Sequence, residues 1–306
     1  MFKRLQLTDY DTLKPFFLNH RYPLCQYSLS SLIFWNNDDF PVFWEISGGN
    51  LLIKELASGK PEARLYMPVS PSYAEPEPEY LTEISQANGK SDIYYVPGAY
   101  YSSHEEDLRE YFYSSTYHGY SDYVYGREDM AELKGHRYSK KRNLTAQFHR
   151  NMADRAYEIS PLSGAKTGDC LTVLEKWHGY DDSRENSILL RDERKAIIFA
   201  LEHFDELEMR GIIIKIDGEP VGFAAGSRLS SDTFVLNFEK AAPHIKGLYQ
   251  VIDQEMARSL PEQYLKINKE SDLGKEGLKK AKESYFPSEI VESRILRPKS
   301  KPEPEI

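Results

Sequence analysis

The stretch Gly211-Ile212-Ile213-Ile214-Lys215-Ile216-Asp217-Gly218-Glu219-Pro220-Val221-Gly222-Phe223-Ala224-Ala225 decides the fold class. Two β-rich runs flank Asp217-Gly218, a pair that tolerates positive φ in a tight hairpin turn. A third run, residues 233–239, follows the polar turn Ser230-Ser231-Asp232. Next, in residues 247–257, Leu248, Val251, Ile252 and Met256 recur at helical spacing and predict one buried stripe. Residues 264–268 read as a strand and 274–285 as a further helix. Upstream, 167–179 and 191–208 read as two helices.

The first half repeats that order. Residues 11–18 and 28–35 read as helices. The runs 42–46 and 51–56 flank Ser47-Gly48-Gly49-Asn50, a second hairpin signal. A third strand is expected at 64–67. After a Pro-rich break at 68–78 come a helix near 80–87 and a strand at 93–96. The two halves share a pattern and few residues, which points to a duplicated architecture. Between them Arg137, Lys140, Lys141 and Arg142 place four cations in six residues, at the start of a helix whose face carries Leu144, Phe148 and Met152. The expected division is therefore 1–135, a first domain; 136–153, a basic connecting helix; 154–297, a second domain; and 298–306, a solvated tail alternating proline with charge.

Composition narrows the function classes. With 306 residues, two cores are expected; 40% apolar and 28% charged residues describe a globular chain. No apolar run approaches the ~20 residues that span a bilayer, and the first residues lack a secretory apolar core. Cys25 and Cys170 are far apart, so a reduced, cytoplasmic protein is expected. The net charge of −9 opposes DNA as a partner, through long-range repulsion. The histidines show no metal-ligand spacing, and no metal is expected. Nucleotide-loop, dinucleotide-fingerprint, nucleophile-elbow and kinase motifs are absent from the sequence.

The order helix, helix, hairpin, strand, helix, strand, helix resembles the acyl-CoA N-acyltransferase fold. That resemblance implies an α+β chain of two tandem domains, each a mixed, mostly antiparallel sheet flanked by helices. Acyl transfer needs a held donor, a base and a stabilised oxyanion. In this fold the donor's pyrophosphate meets the amides that open a helix after a central strand. Here that place is residues 240–249. Lys240, Lys246, Gly247, Leu248 and Tyr249 are its candidate donor-binding residues, joined by Asn268, Lys279 and Lys282. A plain strand-to-helix turn fits the same residues. Glu239 ends the strand beside it as a candidate base, and Glu270 and Asp272 follow the next strand. Clustered carboxylates raise one another's pKa or hold a cationic substrate; solvated strand-end acids are the alternative. Lys275, Lys279 and Lys282 share one helical face, beside the apolar Leu278, Ala281 and Tyr285. Tyr285 is a candidate proton donor to the leaving group, or a core ring with a wet hydroxyl. The basic run 137–142 reads as a phosphate or tRNA grip, or as an exposed helix start.

Tyr123-Val124-Tyr125, Leu133-Lys134-Gly135, Lys140-Lys141-Arg142-Asn143, Phe238-Glu239-Lys240-Ala241 and the long stretch 268–287 resemble the phosphatidylglycerol lysyltransferase C-terminal-domain family. The resemblance covers most of the chain and implies tandem acyltransferase-like domains. Relatives include lipid aminoacyltransferases that take the aminoacyl group from charged tRNA. This sequence carries no transmembrane domain like theirs, which weighs against phosphatidylglycerol as acceptor. The expected function is an acyl or aminoacyl transferase acting on a small-molecule or peptide amine, or a hydroxyl. Acyl-CoA is the favoured donor and coenzyme A the candidate cofactor, with charged tRNA the other donor. A non-catalytic binding module keeping the same fold is the alternative. The second half is expected to carry the site.

Overall fold

The computed structural model describes residues 1–18, 20–56, 63–72, 74–178 and 188–299. In chain order its strands are β1 (Lys3–Arg4), β2 (Val42–Ser47), β3 (Asn50–Leu56), β4 (Ala63–Tyr66), β5 (Ile93–Pro97), β6 (Phe112–Thr116) and β7 (Asp122–Gly126). There follow β8 (Tyr157–Pro161), β9 (Arg210–Ile216), β10 (Glu219–Arg228), β11 (Thr233–Ala241), β12 (Lys266–Ser271), β13 (Glu289–Val291) and β14 (Ser293–Pro298). They form two seven-stranded sheets, ordered β1-β2-β3-β4-β5-β14-β6 and β13-β7-β12-β11-β10-β9-β8.

Both hairpins form where the glycine signals place them. β2 and β3 pair from Val42↔Glu55 to Ser47↔Asn50, turned by Gly48 and Gly49 at φ +59° and +82°. β9 and β10 are joined by Asp217 and Gly218 at φ +52° and +83°, the backbone such two-residue turns require. Each sheet is antiparallel along this meander and contains one parallel pair. β4 and β5 are parallel at Leu65↔Ile93 and Tyr66↔Tyr94; β11 and β12 are parallel from Thr233↔Lys266 to Val235↔Asn268. β11 continues to Ala241 after its pairing with β12 has stopped, so the two strands part. A bulge accompanies the parting: Ala225 faces Phe238 and Gly226 faces Leu236, leaving Asn237 as the extra residue. The fold is α+β, in two tandem units that are each built on a mixed, mostly antiparallel sheet flanked by helices.

Reading the second sheet backwards, β8-β9-β10-β11-β12-β7-β13, shows that it repeats the first with one trade. The sixth position of the first sheet is filled by β14, from the end of the chain; the sixth of the second is filled by β7, from the first half. The compact units are accordingly discontinuous. One comprises residues 1–123, 270–280 and 289–306, the other 124–269 and 281–288. Compared with a linear division, residues 289–299 move to the first unit and 124–153 belong wholly to the second. Pro298, expected in the tail, instead closes β14 opposite Phe112. The expected tail from 300 onward lies outside the described residues.

In the first unit the core gathers Leu24, Leu51, Leu65, Met67, Ile93 and Val96, all buried. In the second it gathers Ile213, Ile214, Phe223, Val235 and the stripe Leu248, Val251, Ile252 and Met256 of the helix Leu248–Ser259. That stripe fixes the helix against β9, β10 and β11 and so points its opposite edge at the parted strand ends.

Candidate active site

Three ionisable side chains of the second unit meet where β11 and β12 part. Glu239 comes from β11, Lys269 from β12 and Asp253 from the helix Leu248–Ser259. Lys269 Nζ donates to Glu239 Oε2 at 3.0 Å and also to Asp253 Oδ1. Their side chains are 16%, 14% and 4% exposed for Glu239, Lys269 and Asp253. The sheet here is held by an ion triad in place of a backbone ladder. Such burial is sustained because one ammonium answers both carboxylates, and the surplus negative charge makes Glu239 hold a proton more tightly.

Two further residues close on the triad. Tyr285 is buried, and its hydroxyl has no partner of good hydrogen-bond geometry, although Asp253 and Gln250 are its polar neighbours. Lys141, from the helix Ser139–Asn151, lays its Nζ over the Tyr285 ring at 3.7 Å and donates to Ser284 Oγ at 2.7 Å. The three adjacent cations of the basic run thus have separate fates. Lys141 turns inward, Arg142 donates to the carbonyls of Leu133 and Gly135, and Lys140 stays exposed.

The electrostatics follow from burial first. Burial, helped by the negative charge on Asp253, pushes the Glu239 carboxyl up to about 7, against the pull of Lys269. Burial and the Lys269 ammonium bring Lys141 down to about 8, against Asp253 and Glu239. Burial alone would strip Lys269 of its proton, yet Asp253 and Glu239 together hold it above the ordinary lysine range. Burial, with Asp253 and Glu239, drives the Tyr285 phenol well upward, so it keeps its proton. The cluster therefore offers a carboxylate that titrates at neutrality beside a buried O–H donor and a fixed cation.

Of the residues singled out in the sequence, Glu239, Tyr285 and Lys282 converge here. Lys282 Nζ donates to the backbone carbonyl of Lys269 and braces that strand. Glu270 and Asp272 belong to the first unit, where Asp272 accepts from the Tyr123 hydroxyl at 2.6 Å and from Gly274 N–H at 2.8 Å. Asp272 staples a loop; Glu270, at φ +59°, marks an irregular strand end. Leu278 is 41% exposed and Ala281 is exposed as well, so the expected apolar face of the helix Glu276–Glu283 is not a core face. Lys279 is exposed in the first unit.

The expected donor loop is built differently from its sequence reading. Lys240 is buried and paired with Glu193 at 2.9 Å, which commits its charge. Leu248 and Asn268 are fully buried, the latter in β12 opposite Val235. Lys246 is exposed and Tyr249 half-buried at the helix start. Gly247, at φ +86°, is demanded by packing: a Cβ there would lie 2.3 Å from the Leu144 carbonyl oxygen. The helix Ser139–Asn151 thus covers that side of the glycine.

Lys269 and Asp253 were not singled out as site residues in the sequence, and Lys141 entered only as one cation of the basic run 137–142. A charge in mid-strand beside Ile267, and an acid next to the apolar stripe of a helix, were the available signals. A separate recess of about 520 Å³ in the second unit is lined by Arg127, Glu128, Asp129, Glu132 and Lys134, none of them part of the cluster. Among the described residues no helix is long and apolar enough to cross a membrane, and no group of His, Cys, Asp or Glu is placed to hold a metal ion.

The model of a family described as "Phosphatidylglycerol lysyltransferase, C-terminal" matches residues 21–295. A conserved protein of unknown function from Bacteroides thetaiotaomicron is 31% identical, with a TM-score of 0.89, over 97% of this chain and 99% of that one. L-PGS from Bacillus licheniformis shares the fold at 13% identity and a TM-score of 0.60, over 95% of this chain and 92% of that one. So does the C-terminal domain of a protein designated a lysylphosphatidylglycerol synthetase from Agrobacterium fabrum, at 12% identity and a TM-score of 0.57, over 87% and 86% of the two chains. No functionally curated protein matches the chain.

Proposed function

The chain belongs to the phosphatidylglycerol lysyltransferase C-terminal family, and on that premise we propose that its second unit transfers an aminoacyl or acyl group from an activated donor to an amine or hydroxyl. The observation that carries this reading is the ion triad of Glu239, Lys269 and Asp253, set beside the buried Tyr285 hydroxyl at the parted strands.

Glu239 takes the proton of the acceptor N–H or O–H as that atom attacks the donor carbonyl. Lys269, fixed between two carboxylates, keeps Glu239 oriented, and its charge favours the anion that develops nearby. As the tetrahedral intermediate collapses, the donor's C–O or C–S bond breaks and Tyr285 gives its proton to the departing atom. The proton held by Glu239 then restores the phenol. Lys141, above the Tyr285 ring, supplies a second cation whose charge depends on pH.

An aminoacyl ester of tRNA is the donor this geometry favours, because Lys240 is committed to Glu193 and Gly247 is covered by the helix Ser139–Asn151. Acyl-CoA is the second reading, supported by the exposed Lys246 at the helix start and by the net charge of −9. Filter binding with charged tRNA and calorimetry with coenzyme A esters separate the two. Product formation that drops by ~10²-fold or more in Glu239→Gln is the expected result, the usual scale of general-base loss. Turnover unaffected by that change removes the mechanism. Binding without product from any donor would leave a binding module.

A further inference from the structure

We infer a second ligand site, on the first unit, that accepts a planar ring carrying an oxyanion. In that unit the parting of β4 and β5 is sealed. The Tyr27 hydroxyl accepts from Met67 N–H at 3.2 Å and donates to the Tyr95 carbonyl at 3.0 Å, bridging the strands.

Three observations in this unit point to a ligand. Tyr95 holds φ +57°, a left-handed backbone inside a strand, of the strained kind that costs about 1–3 kcal/mol and clusters at ligand sites. Arg64 uses one nitrogen on Glu55 at 2.9 Å, and the remainder of its donor fork lies among the phenols of Tyr94, Tyr95 and Tyr117. Tyr117 and Tyr120, both half-buried, are stacked at 4.1 Å and 11°, with Tyr95 within 5.8 and 6.1 Å of them.

The arrangement is pre-built. Gly119, at φ +79°, turns the chain between the stacked rings, and a Cβ there would meet Gly274 N at 2.8 Å, which fixes the turn. Glu55 is spent on Arg64 and on the Tyr66 hydroxyl at 3.0 Å. What remains on offer is the rest of the Arg64 fork and a π face. Guanidinium donors select an oxyanion, and stacked rings select a planar group. A nucleoside monophosphate and an aromatic carboxylate share that chemistry.

Calorimetry on the full chain tests the site with adenosine monophosphate and 4-hydroxybenzoate, using adenosine and inorganic phosphate as the ring-only and anion-only controls. One composite probe is expected to bind with a Kd of about 1 mM or tighter, at least about tenfold better than both controls. Which of the two binds identifies phosphate or carboxylate as the anion. Tyr120→Ala and Arg64→Lys should each weaken binding about tenfold, in keeping with the loss of one stacking or bidentate contact. Glu239→Gln, in the other unit, should leave it unchanged. No binding by either composite probe overturns the proposal, as does binding equalled by phosphate alone or unaltered by Tyr120→Ala. If Arg64→Lys fails to fold, the half-exposed Tyr120 decides the matter by itself.

Discussion

Glu239 and Lys141 titrate towards each other, and the direction of each shift sets a pH window. Glu239 must be ionised to act as a base, so turnover rises as pH passes about 7. If the Lys141 ammonium assists, turnover falls as pH passes about 8. A narrow bell between these values is expected in kcat/KM, and Lys141→Met should remove its alkaline limb while leaving the acid limb in place. Stability carries a sign of its own. The folded carboxyl lies above its ordinary value of 4.5, so the folded state holds the extra proton between 4.5 and about 7. The stabilisation is complete below 4.5 and is lost as pH rises through about 7. Thermal scans should show Tm falling over that interval more in the native protein than in Glu239→Gln; equal slopes would contradict the assignment. At this scale the sequence disclosed half of the cluster. Glu239 and Tyr285 were legible because a strand-end acid and a helix-following tyrosine have local signatures. Asp253 and Lys269 were not, since their meaning lies in an ion pair closed across a sheet, which no local spacing encodes.

Elements were legible wherever glycine or periodicity spoke. The turns at Gly48-Gly49 and Asp217-Gly218 announced both hairpins, and the stripe from Leu248 to Met256 announced its helix. Shifts were small: the strand expected at 264–268 runs from Lys266 to Ser271, and the helix expected at 191–208 is Ile188–Glu202. The strands that escaped notice, β6, β7, β8, β13 and β14 among them, are short or lie at joints between halves, where non-local pairing outweighs propensity. Two substitutions test what the elements need. Gly247→Ala combines a left-handed backbone with a Cβ 2.3 Å from the Leu144 carbonyl oxygen and should cost at least about 2 kcal/mol in chemical denaturation. An effect near zero would show that the helix Ser139–Asn151 does not rest there. Tyr27→Phe removes the hydroxyl that bridges Met67 and Tyr95 and should cost about 1–3 kcal/mol, the usual penalty for an orphaned buried group.

Across the whole molecule, the reciprocal placement of β7 and β14 matters most, and it was invisible in the sequence because both halves carry the same pattern and either could have supplied either strand. β14 lies inside the first sheet, between β5 and β6, so the first sheet is complete only when the chain's last strand is in place. A fragment ending at residue 135 should therefore fail to give a cooperative unfolding transition, and removal of residues 293–306 should destabilise the chain far more than trimming 300–306. Recovery of a folded, two-state fragment 1–135 would refute this. The trade of strands also bears on descent. Once two duplicated copies had exchanged a rung apiece, a gene split at the midpoint would yield two incomplete products, and deletion of either copy would cripple the survivor. A lineage that took this step could let one copy drift in chemistry without ever being free to discard it.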